Sequence, residues 1–210
     1  IFTLTLLAKD YEGYKNLVKL ASELYKKKDN RELRISKEIL KEHNKGLIAL
    51  SSSMKGEIGK AILMNFPSEK LDSIVDEYIE IFSKENFYLE IQANEFPETK
   101  VINDKFYDFS KEKNLELVAT NNVHYVDRDG YELQDIVICI QSGWKLKDKN
   151  RKKAVSKELY LKSKEEMQRS LDERFHKAIE NTNYIASLCN LEIEFGNLQF
   201  PYYEVPNQYS

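Results

Sequence analysis

The sequence predicts an α/β fold with mainly parallel strands and helices outside them, and three observations carry that prediction. Four short apolar runs of strand character alternate with helical stretches instead of clustering together. The helical stretches repeat their apolar residues at the 3.6 period. The length, 210 residues, suits one domain with at most a small second piece.

Thr3 to Ala8 is the first apolar run, and Asp10 follows it as a helix cap. Tyr14, Leu17, Val18, Ala21, Leu24 and Tyr25 then mark an amphipathic helix. That helix runs out into the charged stretch Lys26 to Arg34. Ser36 caps a second, short helix, which Gly46 stops. Leu47 to Leu50 is the second strand; Ser51-Ser52-Ser53 turns the chain into a helix from Gly56 to Met64. Ser68 caps a helix with Leu71, Ile74, Val75, Tyr78, Ile79 and Phe82 on its inner side. Phe87 to Gln92 is the third strand. Pro97 suits a first helical residue, and Val101, Ile102, Phe106 and Phe109 carry the helix it opens. Leu115 to Thr120 is the fourth strand, followed by a helix from Asp129 to Gln141.

Beyond Gly143 the character changes. Trp144 to Lys153 holds five Lys and one Arg against one Asp and has no apolar period, as expected of a surface loop. Ser163 and Glu166 form a capping box. Phe175, Ile179, Tyr184, Ile185 and Leu188 give the apolar side of a helix from Glu173 to Cys189. The last twenty residues, with two prolines and several aromatics, read as an extended tail.

Hydrophobic residues make up 41% and charged residues 32%, a globular composition that excludes wholesale disorder. The net charge of −3 supplies no global positive field, so any contact with nucleic acid must be local. Cys139 and Cys189 are too few for a disulfide framework and sit in apolar helical patterns, which points to the cytoplasm. No stretch approaches the roughly 20 apolar residues of a membrane span. The chain opens on Ile1-Phe2-Thr3-Leu4, already inside a strand-like run and without Met, and is expected to be a fragment.

In parallel α/β folds the chemistry gathers at the C-terminal ends of the strands. Asn122 and His124, two apart on an extended segment, project to one face. Ser51 to Ser53 could cap a helix, hold an anion or supply a nucleophile; with no base assignable to it, the turn and cap reading is favoured. Glu90 and Gln92 share the third strand's polar face. A lone His124 cannot hold a catalytic metal. His43 reads as a solvated helix end, and His176 lies on a charged face. Lys145, Lys147, Lys149, Arg151, Lys152 and Lys153 are candidates for phosphate contact, against the alternative of a solvated loop.

Seven blocks in order carry a resemblance. They are Leu4 to Lys9, Gly46 to Ser51, Leu117 to Asn121, Val123 to Tyr125, Ile138 to Gly143, Tyr160 to Ser163 with Glu165 to Met167, and Glu180 to Thr182 with Cys189-Asn190. Together they resemble the polymerase-and-histidinol-phosphatase (PHP) domain of bacterial DNA polymerase III alpha subunits, over nearly the whole chain. The resemblance implies a distorted, TIM-like β/α barrel whose ligand cluster holds up to three metal ions. Residues 1–196 would be the C-terminal portion of that barrel, its N-terminal segment with the first ligands absent, and 197–210 a tail leading to the next domain.

The resemblance also implies a degenerate metal site. Family ligand positions fall on Thr3 (histidine in the family), Ser53 (cysteine), Asn122 (aspartate) and His124, of which only His124 keeps the ligand. Neutral hydroxyls and an amide are poor substitutes for imidazole, thiolate and carboxylate. The expected role is therefore a non-catalytic scaffold without a cofactor, inside a parent DNA-directed DNA polymerase that uses Mg²⁺ elsewhere. Its expected partners are the rest of the alpha subunit, a proofreading exonuclease subunit, and DNA through the parent, with no membrane. The alternative is a metal-dependent 3′-5′ exonuclease or phosphoesterase using Zn or Mn.

Overall fold

The structure is a computed structural model that describes residues 1–26, 34–151, 156–196, 198 and 200. Residues 201–210, most of the expected tail, and Lys152 and Lys153 lie outside the described residues. Four strands, β1 (Thr5–Ala8), β2 (Leu47–Leu50), β3 (Phe87–Gln92) and β4 (Glu116–Thr120), form one open sheet in the order β1-β2-β3-β4. β2, β3 and β4 run parallel, whereas β1 pairs antiparallel with β2, Thr5 opposite Leu50. The prediction of mainly parallel strands thus holds for three of the four. The reversal has a consequence for the site, because it brings the start of β1 to the end where the parallel strands finish.

Alternation along the strands divides the core in two. Leu47, Ala49, Phe87, Leu89, Ile91, Leu117 and Ala119 point to one face, into the larger cluster. Ile48, Leu50, Tyr88 and Val118 point to the other. The larger cluster is completed by α2 (Lys37–Glu42), α3 (Glu57–Leu63), α4 (Ser68–Phe82) and α5 (Pro97–Glu112), joined by Leu20 of α1 (Tyr11–Lys26). α4 forms where its apolar residues repeat: Leu71, Ile74, Val75, Tyr78 and Phe82 are all buried. Asp10 caps α1 by accepting a hydrogen bond from the Gly13 amide at 2.9 Å. Pro97 sits in the first turn of α5.

After β4 come α6 (Gly130–Ser142), α7 (Lys164–Ser170) and α8 (His176–Leu188). The capping box of α7 is present in both directions, Ser163 Oγ accepting from the Glu166 amide and Glu166 accepting from the Ser163 amide. α8 runs along β4, with Ala178 and Ile179 in the larger core and Ile185 in the smaller. Tyr184, expected on its inner side, is exposed. Among the described residues no helix is long and apolar enough to cross a membrane.

Candidate functional site

The C-terminal ends of β2, β3 and β4 and the N-terminal end of β1 meet around a buried carboxyl group. Glu90 is on the same sheet face as Tyr88 and is only 8% exposed. Its Oε1 accepts a hydrogen bond from the Thr120 hydroxyl at 2.7 Å. Its Oε2 accepts one from the Ser52 amide at 3.1 Å. The Glu90 amide in turn donates to Ser51 Oγ at 2.9 Å. Thr5 and Ser52 hydroxyls lie 3.0 Å apart. Each of the four strand ends therefore contributes to a single polar network, the end of β2 through both Ser51 and Ser52.

The turn after β2 is tightly held. Ser52 (φ 59°) and Ser53 (φ 40°) are consecutive non-glycine residues in the left-handed region, which is uncommon and costly for a side chain. It persists because Gly56 and Gly59 let the backbone close against it: a Cβ on Gly59 would stand 2.0 Å from the Ser53 carbonyl oxygen. Ser53 is fully buried and its Oγ has no hydrogen-bond partner. Ser51 to Ser53 is thus a turn into a short 3₁₀ segment, Ser53–Lys55, as the favoured reading of that triplet expects.

Above this network lies a cleft of about 490 Å³. Ser52, Gln92, Asn122 and His124 line its polar side, and Met54, Phe96 and Leu159 its apolar side. The structure therefore brings Asn122 and His124 to one cavity, as the two-residue spacing predicts. His124 is held by its backbone, its amide donating to the Leu159 carbonyl at 2.8 Å. The neighbouring Asn121 donates to the carbonyls of Glu158 and Tyr160, and a parallel bridge joins Tyr125 to Tyr160. Thr3 is exposed and does not line the cleft; its amide is bound at 2.9 Å to the carbonyl of Lys55, which does. Among the described residues no three His, Cys, Asp or Glu side chains converge into a metal-binding group.

The site residue that strand-end reasoning underweighted is Glu90, with its partners Thr5 and Thr120. Its signal was present: an acidic residue inside the apolar run Phe87 to Ile91 demands partners when buried. The basic segment divides. Lys145, Lys147 and Lys149 are exposed, but Arg151 is turned inward: Nη1 and Nη2 donate to the two Asp135 oxygens at 2.6 and 2.5 Å. His43 ends α2 as expected. His176 opens α8, its Nε2 3.2 Å from the Gln168 carbonyl oxygen. Cys139 and Cys189 are both free thiols, and burial raises the pKa of Cys189.

Comparison with known proteins places this geometry. Residues 1–94 match the PHP domain family. The first 94 residues are thus similar to a PHP domain. That match takes in β1, β2, β3, the Ser51–Ser53 turn and Glu90. Similarity to curated relatives extends much further. The chain is 37% identical to the DNA polymerase III subunit alpha of Thermus aquaticus over 198 residues, which is 93% of this chain and 16% of that protein. It is 37% identical to the subunit of the same name from Deinococcus radiodurans over 98% of the chain and 16% of the relative. The Pseudomonas aeruginosa protein of that name is 35% identical over 97% and 17%. The chain thus spans about a sixth of the length of these relatives.

Proposed function

We propose that this chain is the PHP module of a bacterial DNA polymerase III alpha subunit acting in DNA replication, and that it serves there as a metal-free scaffold and a docking surface for the proofreading exonuclease subunit. The observation that carries the scaffold reading is the closure of the strand-end network. Both oxygens of Glu90 are already bound by protein donors, the Ser52 amide and the Thr120 hydroxyl. Of the four positions at which the family offers ligands, three carry two hydroxyls and an amide, in Thr3, Ser53 and Asn122.

A cluster of divalent cations needs anionic or imidazole ligands to offset its charge and to lower the pKa of a bridging water. The residues present do not fit that requirement, because of the four matched family positions only His124 keeps a conventional ligand, and it sits on the exposed lip of the cleft. No step of chemistry is therefore assigned to this module. Nucleotidyl transfer, with its Mg²⁺ ions, would belong to other parts of a DNA-directed DNA polymerase, through which DNA would be contacted in the cytoplasm.

The open sheet is read as an arc of a distorted, TIM-like barrel. Two features support this: polar residues gather at the strand ends while both sheet faces pack, and a further parallel bridge, Tyr125 to Tyr160, forms in the chain after β4.

Titration of the full-length protein with zinc or manganese tests the reading. The expected outcome is no stoichiometric binding at this module and no metal-dependent 3′-5′ nuclease activity. Tight binding lost in His124→Ala, together with such activity, would restore the metal-dependent exonuclease or phosphoesterase reading instead.

A further inference from the structure

The cleft above the strand ends holds polar groups that the protein leaves unused. Among the described residues, the side-chain amide of Asn122 and the ring of His124 have no hydrogen-bond partner, although both line the cleft. Gln92 is half engaged: its Oε1 accepts from Asn94 Nδ2 at 3.0 Å, whereas its Nε2 has no partner among the described residues. The network beneath is different, because Thr5, Ser52, Glu90 and Thr120 bind one another there. The free donors and acceptors therefore belong to the cleft and face a ligand instead of the core.

The walls are fixed in advance. Met54 Sδ accepts from the buried Thr99 hydroxyl at 3.0 Å, and the Phe96 amide donates to Asn94 Oδ1 at 3.3 Å. Asn103 grips the backbone of Gln92 in both directions, accepting from its amide at 3.2 Å and donating to its carbonyl at 3.0 Å. Groups held in this way need little ordering when a ligand arrives. An aromatic ring beside a polarisable thioether suits a flat, π-bearing ligand. Of the lining side chains Lys55 is positive and Glu98 negative, so the pair offers no excess charge to a phosphate group.

We propose that this cleft is a binding site for an uncharged purine nucleoside of the adenine type. A side-chain amide matches the adjacent donor and acceptor of adenine, N6–H and N7, in a two-pronged pair, and Asn122 has both of its groups free for it. Gln92 Nε2 supplies a donor for a remaining ring nitrogen, and Phe96 an aromatic face for the base. His124, exposed at the lip, is left for the ribose hydroxyls. The volume, about 490 Å³, lies in the range of small-molecule sites. The inference goes beyond the scaffold reading and rests on it in one respect, that no metal ion occupies the cleft.

The test is equilibrium dialysis of the full-length protein against radiolabelled adenosine in buffer containing chelator. Saturable binding with a Kd below about 1 mM is expected, weakened at least about tenfold in Asn122→Ala and in Phe96→Ala, with thymidine bound at least about tenfold more weakly than adenosine. Asn122→Ala removes a side chain that bonds to nothing among the described residues, so it keeps the test decisive even where Phe96→Ala fails to fold. No saturable binding of adenosine would overturn the inference, as would binding that Asn122→Ala retains in full. Adenosine 5′-monophosphate bound about tenfold more tightly than adenosine, with that gain lost in Asn122→Ala, would also overturn it by assigning the cleft to a phosphoryl group. A parallel dialysis against zinc without chelator tests the scaffold reading by itself. Zinc bound there, with adenosine binding intact in chelator, sinks only that reading; adenosine unbound where zinc also fails to bind sinks only this one.

Discussion

Glu90 lies between Leu89 and Ile91, both fully buried, and its carboxyl group is acceptable there only because two donors meet it. Glu90→Ala would strand the Ser52 amide and the Thr120 hydroxyl and leave a small void. An expected loss of about 2 to 4 kcal/mol follows, seen in urea unfolding as a lower midpoint at unchanged slope. Ser53 presents the opposite case, because its buried hydroxyl has no partner. Ser53→Ala removes that unmet polar group and is expected to raise stability by about 1 kcal/mol; a comparable loss would reveal a partner for the hydroxyl. His124 lines the cleft without entering the network around Glu90, so His124→Ala should leave the unfolding midpoint unchanged.

The short helix α3 approaches the Ser51–Ser53 turn more closely than any side chain allows, which is why Gly59 stands there. Gly59→Ala drives a Cβ into the Ser53 carbonyl and is expected to cost about 3 kcal/mol, with the strained turn and the cleft lip displaced together. α8 is tied to the start of β4 by electrostatics as well as packing. A hydrogen bond from Lys177 and a further one from Asn181 hold the Glu116 carboxyl below the usual carboxylate range, against the opposing effect of partial burial. Because the folded-state pKa is depressed, the stability it contributes is present above the unfolded value of about 4.3 and is lost as pH falls through the folded value. The melting temperature of the unmodified protein should therefore exceed that of Glu116→Gln at neutral pH, and the two should converge in acid.

Considered as one body, the protein places its polar network at the single end of the sheet where all four strands can contribute. Helices pack the larger face, and α8 reaches across the β4 edge to the smaller one. Under the scaffold reading nothing in this arrangement needs a metal, so the melting temperature of the full-length protein is expected to be insensitive to chelator; a large chelator-dependent drop would count against it, since a ligand of the folded state must stabilise it. The exposed lysines give a separate test. Charge reversal at Lys145, Lys147 and Lys149 is expected to leave DNA affinity and its salt slope unchanged if they belong to a solvated loop; a shallower slope would assign them to phosphates.

Most strand and helix boundaries were legible in the sequence because they follow from local periods and caps: Phe87 to Gln92, Pro97 and the Ser163 box stand where pattern places them, whereas Ser68, expected as a cap, is the first residue of α4, with Pro67 at the cap position. The pairing of Asn122 with His124 was legible for the same reason, a spacing of two on extended backbone. The antiparallel sense of β1 was not, since strand direction depends on where the chain returns and not on the residues of the strand. Nor could composition separate Arg151 from its lysine neighbours; its fork is turned inward by an aspartate sixteen residues earlier in the chain. The apolar residues of α6 read as an ordinary helix, and only packing decided which of them stay uncovered. Local chemistry names the elements, but burial and hydrogen-bond closure, which join residues far apart in sequence, decide which polar groups remain free to act.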